Sequence, residues 1–342
     1  MLSCLLGWGA SSGAAPHAQA EDVLQSQREV TFPGANGVKL AGTLLVPARR
    51  SDAEVPGVII VAGSGPTDRD GNSALLDVKI NLLKQIAEQL AQEGVASLRY
   101  DKRGQYASEK APEDQEALSA FTLWENYVGD AAAALAYLQK QNEINVSRTA
   151  MVGHSEGGML ILQAAVEGKG FQKPPAALVL VSTPGRPADV ILREQLARDP
   201  FAWFFLKQND AIMEVIKKTG RVPNDVPAVL AGLYPPESGK FAQSLLSFGG
   251  PAWASRFPGP VLVIAGEKDL QHKVGLETAA LSAGLKKRHP DYHEVYIVPN
   301  ASHNLKRVKS DYDHGFTGEL APEASAKLRF WLARKFASTE KK

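Results

Sequence analysis

A serine flanked by glycines, in Gly153-His154-Ser155-Glu156-Gly157-Gly158, is the group of residues whose spacing points most directly to chemistry. The apolar run Ala150-Met151-Val152 before it reads as a buried strand, and a helix begins after it. In G-x-S-x-G the serine occupies a strained strand-to-helix turn that projects its hydroxyl. Gly153 and Gly157 belong to that pattern because a side chain at either would collide across the turn. A serine hydroxyl is a poor nucleophile at neutral pH, so it needs a base, and the base needs an acid to orient it. After the apolar run Val261 to Ala265 comes Gly266-Glu267-Lys268-Asp269-Leu270, and after Glu294 to Val298 comes Pro299-Asn300-Ala301-Ser302-His303. Asp269 and His303 therefore each fall just past a strand, as Ser155 does. Glu267 competes as the acid, but the turn favours Asp269. His272 shares the acid's loop, His314 lies well beyond the last strand, and His154 is held inside the turn itself. His17, His289 and His293 read as surface or tail residues.

A second glycine loop, Gly63-Ser64-Gly65-Pro66-Thr67-Asp68-Arg69-Asp70-Gly71-Asn72, follows the apolar run Val58 to Val61. A dinucleotide fingerprint beginning at Gly63 needs glycine where Asp68 stands, beside a pyrophosphate. No Gly-Lys-Ser/Thr is present for a P-loop. An EF-hand needs glycine where Ser73 stands and glutamate where Lys79 stands.

Strand and helix patterns alternate from residue 28 onward, the signature of a mostly parallel α/β sheet with helices on both faces. Glu29 to Phe32 and Lys39 to Val46 flank Gly34-Ala35-Asn36-Gly37 and read as a hairpin. A helix is expected over 74 to 93, a strand over Ala96 to Tyr100, and a capping box at Thr122-Leu123-Trp124-Glu125 opening a helix to Gln141. Strands Thr149 to Val152 and Ala177 to Val181 bracket a helix from Glu156. The rhythm breaks over 188–257, which is helical, apolar and aromatic, with the cluster Phe201-Ala202-Trp203-Phe204-Phe205, and resumes with helices near 275–288 and 321–337. The expected organisation is a core in two parts, 21–187 and 258–342, with 188–257 as an inserted helical cap.

Composition narrows the partners. A net charge of +1 with 22% charged residues gives no footing for nucleic acid or an anionic membrane. The basic cluster Lys286-Lys287-Arg288 suits the end of a helix. No apolar run approaches the ~18 residues that a membrane span needs, so stable insertion is not expected. Cys4 is the only cysteine, so no internal disulfide can form. Residues 1–20 end in Ala18-Gln19-Ala20, a small-x-small pattern, and read either as the tail of an export signal or as a disordered extension. The first reading implies a periplasmic or secreted protein and the second a cytoplasmic one.

Five motifs in order, Gly63 to Gly71, Arg99-Tyr100-Asp101-Lys102-Arg103-Gly104, Gly153 to Gly158, Gly266 to Gln271 and Ser302-His303, resemble an esterase-like branch of the α/β-hydrolase superfamily. That branch is also described as serine aminopeptidase or dienelactone-hydrolase-like. The similarity spans residues 28 to 337 and departs at Gln105-Tyr106-Ala107-Ser108, where the branch has a short glycine-serine turn. The resemblance implies an α/β-hydrolase fold and a serine carboxylesterase acting on short acyl esters through Ser155, His303 and Asp269, with no metal or cofactor. An acyl thioesterase or an aminopeptidase would use the same triad, and a noncatalytic ligand-binding protein the same fold. The glycine loop then falls where this superfamily places an oxyanion donor, the N–H of Ser64 with Gly63 and Gly65 beside it. The other donor is the N–H of Glu156. Asp68, Arg69 and Asp70 are expected to brace the loop by ion pairs with Arg99 or Arg103.

Overall fold

The computed structural model describes residues 22–199, 201–288 and 292–339. The signal-like stretch 1–20 with Cys4 and His17, and also His289, lie outside the described residues.

Eight strands form one sheet: β1 (Ser26–Pro33), β2 (Lys39–Val46), β3 (Val55–Val61), β4 (Ala96–Tyr100), β5 (Ile144–His154), β6 (Ala177–Val181), β7 (Val261–Gly266) and β8 (His293–Val298). Their order across the sheet is β8-β7-β6-β5-β3-β4-β2-β1. The pairs from β8 to β4 are parallel, and β2 and β1 are added antiparallel as the hairpin. Parallel strands are covered on both faces, which explains why β3, β6 and β7 are nearly continuous apolar runs instead of alternating ones.

The helices α1 (Leu82–Ala91), α2 (Gln115–Phe121), α3 (Trp124–Leu138), α4 (Glu156–Glu167), α5 (Ala188–Arg198), α6 (Leu206–Thr219), α7 (Gly239–Leu246), α8 (Gly250–Ala254), α9 (Val274–Lys286) and α10 (Pro322–Thr339) complete the described chain. One face of the sheet buries Leu83, Ile86 and Leu90 of α1 and Leu328 and Trp331 of α10. The other buries Val128 and Leu135 of α3, Met159 and Leu162 of α4, and Leu281 and Leu285 of α9. A third apolar cluster, with Leu196, Ile212, Met213, Ile216, Leu230, Tyr234 and Leu246, belongs to the segment between β6 and β7. Among the described residues that segment contains helices and no strand. Its last residues, Phe248, Ala254 and Phe257, pack into the main core rather than into this cluster.

Two local expectations are corrected. The first long helix begins at Leu82 and not near residue 74, because polar side chains hold the preceding chain in loops. Asp68 Oδ1 accepts the N–H groups of Asp70 at 2.9 Å and Asn72 at 2.8 Å, and Asn72 Oδ1 accepts that of Asn81 at 2.8 Å. The capping box is also absent. Thr122 closes α2, with its hydroxyl donating to the Leu118 carbonyl at 2.9 Å, and the residue preceding α3 is Leu123, which has no side-chain cap.

The hairpin turn is tied to the helical layer by a buried ion pair. Arg103 donates to both carboxylate oxygens of Asp130 on α3, at 2.6 and 2.8 Å, and Asp130 Oδ1 also accepts the N–H of Ala35 at 2.8 Å. Both side chains of the pair are 1% exposed. Arg103→Ala leaves a buried carboxylate uncompensated, so a loss of roughly 3–5 kcal/mol is expected in urea unfolding at neutral pH; a change within experimental scatter would contradict this reading.

Candidate active site

β3 and β5 are neighbours although the chain leaves them toward opposite halves of the sheet. The crevice beyond their carboxyl ends is the topological switch point, where open α/β sheets place their ligands. Ser155 follows β5 and the Gly63 loop follows β3, with Val61 and Gly153 in register.

Ser155 stands between β5 and α4 at φ 54° and ψ −122°. A β-carbon on Gly153 would lie 2.4 Å from the Gly157 carbonyl oxygen, and one on Gly157 would lie 2.4 Å from that of Val61. Both are impossible contacts, so the two glycines allow the turn to close against β3. The Ser155 N–H donates to the Val181 carbonyl at 2.8 Å, which ties the turn to β6 as well. The serine is only 7% exposed.

Asp269 follows β7, and its Oδ1 accepts the N–H groups of Gln271 at 2.7 Å and His272 at 3.0 Å. Its Oδ2 meets His303 Nδ1 at 2.6 Å. Burial alone would raise the Asp269 carboxyl. The His303 imidazole and its hydrogen bond, His272 and the Gln271 N–H outweigh burial and hold it below its ordinary value. His303 is buried in the loop after β8, where its carbonyl accepts from the Ser182 hydroxyl at 2.8 Å. Glu267, the competing acid, is turned away and accepts the N–H of Asn300 at 2.8 Å.

Two further histidines converge on His303. The rings of His154 and His272 stand at steep angles to it, with centroids 4.8 and 4.9 Å away. His272 had been set aside because it shares the acid's loop. That same turn doubles back on Asp269, which puts His272 Nδ1 3.9 Å from Asp269 Oδ2. Burial, and then the neighbouring His303, lower His154 to about 3 and His272 to about 4. The spacing Asp269-x-x-His272 was the signal available in the sequence. Of the other histidines, His293 meets the Ser282 hydroxyl at 2.9 Å and His314 stacks on Phe316.

The glycine loop passes over the turn. A β-carbon on Gly63 would lie 3.2 Å from Ser155 Cβ and from His154 Nδ1, and Gly65 has φ +76°. Glu156 opens α4, and its carboxylate accepts from Lys102 Nζ at 3.0 Å, with both side chains buried. Further along the loop, Asp70 pairs with Arg99 at 3.1 Å and Arg69 with Asp101 at 2.7 Å, while Arg69 also reaches Glu29 and Thr43. Arg103 takes no part, because it is committed to Asp130; the expected choice between Arg99 and Arg103 resolves to Arg99. Tyr106, in the segment that departs from the branch, donates from Oη to the Pro66 carbonyl at 2.7 Å and so fastens the same loop.

This layout extends to known proteins. The structure is similar to Est1E from Butyrivibrio proteoclasticus with bound ferulic acid, at TM-score 0.58 and 18% identity over 90% of this chain and all of that one. It is also similar to the esterase domain of a Rhodothermus marinus protein, at TM-score 0.53 and 19% identity over 90% and 98% of the two chains. The chain has the α/β-hydrolase fold. The model of the family described as serine aminopeptidase, S33, matches residues 79–219. Esterase EstD of Thermotoga maritima is 28% identical over 170 residues, 50% of this chain and 35% of EstD. An uncharacterized Mycobacterium tuberculosis protein is 28% identical over 169 residues, 49% of this chain and 50% of its own. The chain thus spans half or less of the curated relatives that it matches.

The buried histidines give the protein a pH signature. Folded His154 and His272 bind protons more weakly than the ordinary value of 6.5, so the unfolded chain takes up protons first as pH falls. Stability is full above pH 6.5 and declines below it, by ~3 kcal/mol for His272 alone at pH 4. Urea unfolding at pH 7 and pH 5 should show this loss, and His272→Phe should make the difference between the two pH values smaller. An unchanged difference would remove His272 as a contributor.

Proposed function

We propose that this α/β-hydrolase is a serine carboxylesterase acting on short-chain acyl esters. The observation that carries the reading is the buried 2.6 Å contact between Asp269 and His303, whose ring lies 4.8 Å from that of His154, the neighbour of a serine held at positive φ on a strand-to-helix turn. Asp269 fixes the His303 tautomer with the proton on Nδ1, which leaves Nε2 as the base. His303 Nε2 takes the Ser155 hydroxyl proton as the oxygen attacks the ester carbonyl, and returns it to the departing alkoxide. Water then cleaves the acyl-enzyme with the same base, releasing the carboxylic acid. The base contributes ~10²- to 10⁴-fold, and each oxyanion donor ~10²- to 10³-fold. The donors in this reading are the N–H groups of Glu156 and Ser64.

The helices of 188–257 serve as the cap. Support comes from α5, where Gln195 donates to the Gln271 carbonyl at 3.1 Å and Arg198 to the Leu270 carbonyl at 3.0 Å, on the loop that carries Asp269. Phe201 and Phe204 are 79% and 66% exposed, so the aromatic cluster does not pack together as one acyl pocket.

An aminopeptidase needs a free carboxylate to receive the substrate ammonium. Asp189, Asp199, Asp210 and Glu214, in the 188–257 segment, each already hold a partner. Asp189 pairs with Lys217 at 2.6 Å, Asp210 with Arg193 at 3.0 Å and Glu214 with Lys217 at 3.4 Å, and Asp199 accepts two backbone N–H groups at 2.8 and 2.9 Å. This favours an uncharged ester over an amino-terminal substrate.

Ser155→Ala should lower p-nitrophenyl butyrate turnover by at least ~10³-fold with the circular dichroism unchanged, and should abolish labelling by an organophosphonate probe. Adding His303→Ala or Asp269→Asn to it should cause little further loss, because the three act as one unit; additive losses would overturn the triad. A folded wild-type protein that neither turns over esters nor takes the probe would support the noncatalytic reading instead. Lys102 is a positioning residue in this scheme, acting through Glu156. Lys102→Met should lower kcat about tenfold with KM little changed, and Lys102→Arg should restore most of it. An unchanged kcat would detach the ion pair from the oxyanion site.

A further inference from the structure

His272 is a buried ligand-type side chain for which the esterase mechanism has no use. Its ring stands against His303, its Nδ1 is 3.9 Å from Asp269 Oδ2, and the Ser182 backbone is within hydrogen-bonding range of the ring. Taking one ligand atom from each of Asp269, His272 and His303, all three lie within 4.8 Å of one another, and all three residues are buried. Two imidazoles and one carboxylate on a single corner are a donor set suited to a divalent transition metal. We propose that Asp269, His272 and His303 also form an inhibitory site for zinc or a zinc-like divalent metal.

The geometry needs only side-chain adjustment. Zinc bonds of about 2.0–2.2 Å place tetrahedral ligand atoms roughly 3.3–3.5 Å apart. The 2.6 Å contact between Asp269 and His303 opens by about 0.8 Å, the 3.9 Å separation between Asp269 and His272 closes by about 0.5 Å, and the widest separation of the three, within 4.8 Å, closes by up to about 1.4 Å. Water takes the fourth position. His272 enters without shedding a proton, because burial already keeps it neutral. A backbone partner on a ligating imidazole helps to hold the ring in place, and the Ser182 backbone lies near enough to His272 to do so.

Inhibition follows from the tautomer. When His303 Nδ1 gives its lone pair to the metal, its proton leaves Nδ1 and the neutral ring carries its proton on Nε2. No net proton is lost, but Nε2 then has no free lone pair and cannot accept the Ser155 proton. The metal and the catalytic proton arrangement exclude each other. This last step rests on the proposed esterase reading; the binding step does not.

Two measurements separate the two. Zinc chloride at micromolar concentration should inhibit p-nitrophenyl acetate hydrolysis by the wild-type protein, and EDTA should restore it. His272→Phe, and His272→Asn as a polar replacement in case the first fails to fold, should each raise the half-inhibitory zinc concentration at least tenfold, each compared with its own zinc-free rate. Independently of turnover, Ser155→Ala loaded with cobalt(II) should show the visible absorption of a tetrahedral site, and the same protein with His272→Phe or His272→Asn should not. No zinc inhibition of an active enzyme, zinc sensitivity unchanged by both substitutions, or no tetrahedral cobalt spectrum would overturn the proposal. A wild-type protein without esterase activity overturns the esterase reading, while the cobalt spectrum still decides the metal site.

Discussion

The architecture depends on one close approach, that of the turn around Ser155 to the end of β3. With glycine at 157, the Val61 and Ala62 carbonyls come within 2.4 and 2.5 Å of where a β-carbon would be. That approach lets Ser155 hold its left-handed backbone at the topological switch point, where the strand order reverses and the sheet edge opens. Backbone strain of this kind amounts to ~1–3 kcal/mol and persists only where the surroundings over-determine it. Here β3, β6 and the start of α4 all bear on the same four residues.

Around that turn, electrostatics are arranged in two zones. On one side Asp269, His272, His303 and His154 are packed so tightly that burial suppresses extra positive charge, leaving a neutral imidazole pair on either side of His303. On the other, the glycine loop and the start of α4 are held by charged pairs: Arg69 with Asp101, Arg99 with Asp70, and Lys102 with Glu156. For the proposed esterase, uncharged neighbours suit a base that must gain a proton, and fixed charges suit backbone donors that must not move when a negative oxygen develops.

The helices between β6 and β7 touch both zones: Phe241 on α7 packs on Trp124 and Tyr127 of α3, where Lys102 Nζ lies 5.9 Å from the Tyr127 ring, and other side chains reach the loop of Asp269. Glu194 on α5 is held near 2 by the Arg186 guanidinium and pairs with Lys273 at 2.9 Å, and Arg186 also reaches Glu277 on α9 at 2.7 Å. These bonds, with those from Gln195 and Arg198, attach the inserted helices to the loop of the acid.

Much of this was legible in the residues. Continuous apolar runs marked β3, β6 and β7, because parallel strands are buried on both faces; the glycine spacing around Ser155 marked the turn, because only glycine allows that approach. The positions of Ser155, Asp269 and His303, each just past a strand, marked the carboxyl ends of β5, β7 and β8, where the structure brings Asp269 and His303 into contact. What the sequence could not determine were relations that local pattern does not encode. Thr122 matched a capping box yet closes the preceding helix, since α2 claims it first. Arg99 and Arg103 were equal candidates to brace the glycine loop, and only their opposite directions from the end of β4 separate Asp70 from Asp130 as partners. His272 was set aside on its position in the chain, and tertiary folding of its loop put it against His303. Local chemistry and periodicity determined which residues could react and which elements carry them. The tertiary structure alone decided which charges meet, because an ion pair or a ring contact depends on distances between strands far apart in sequence.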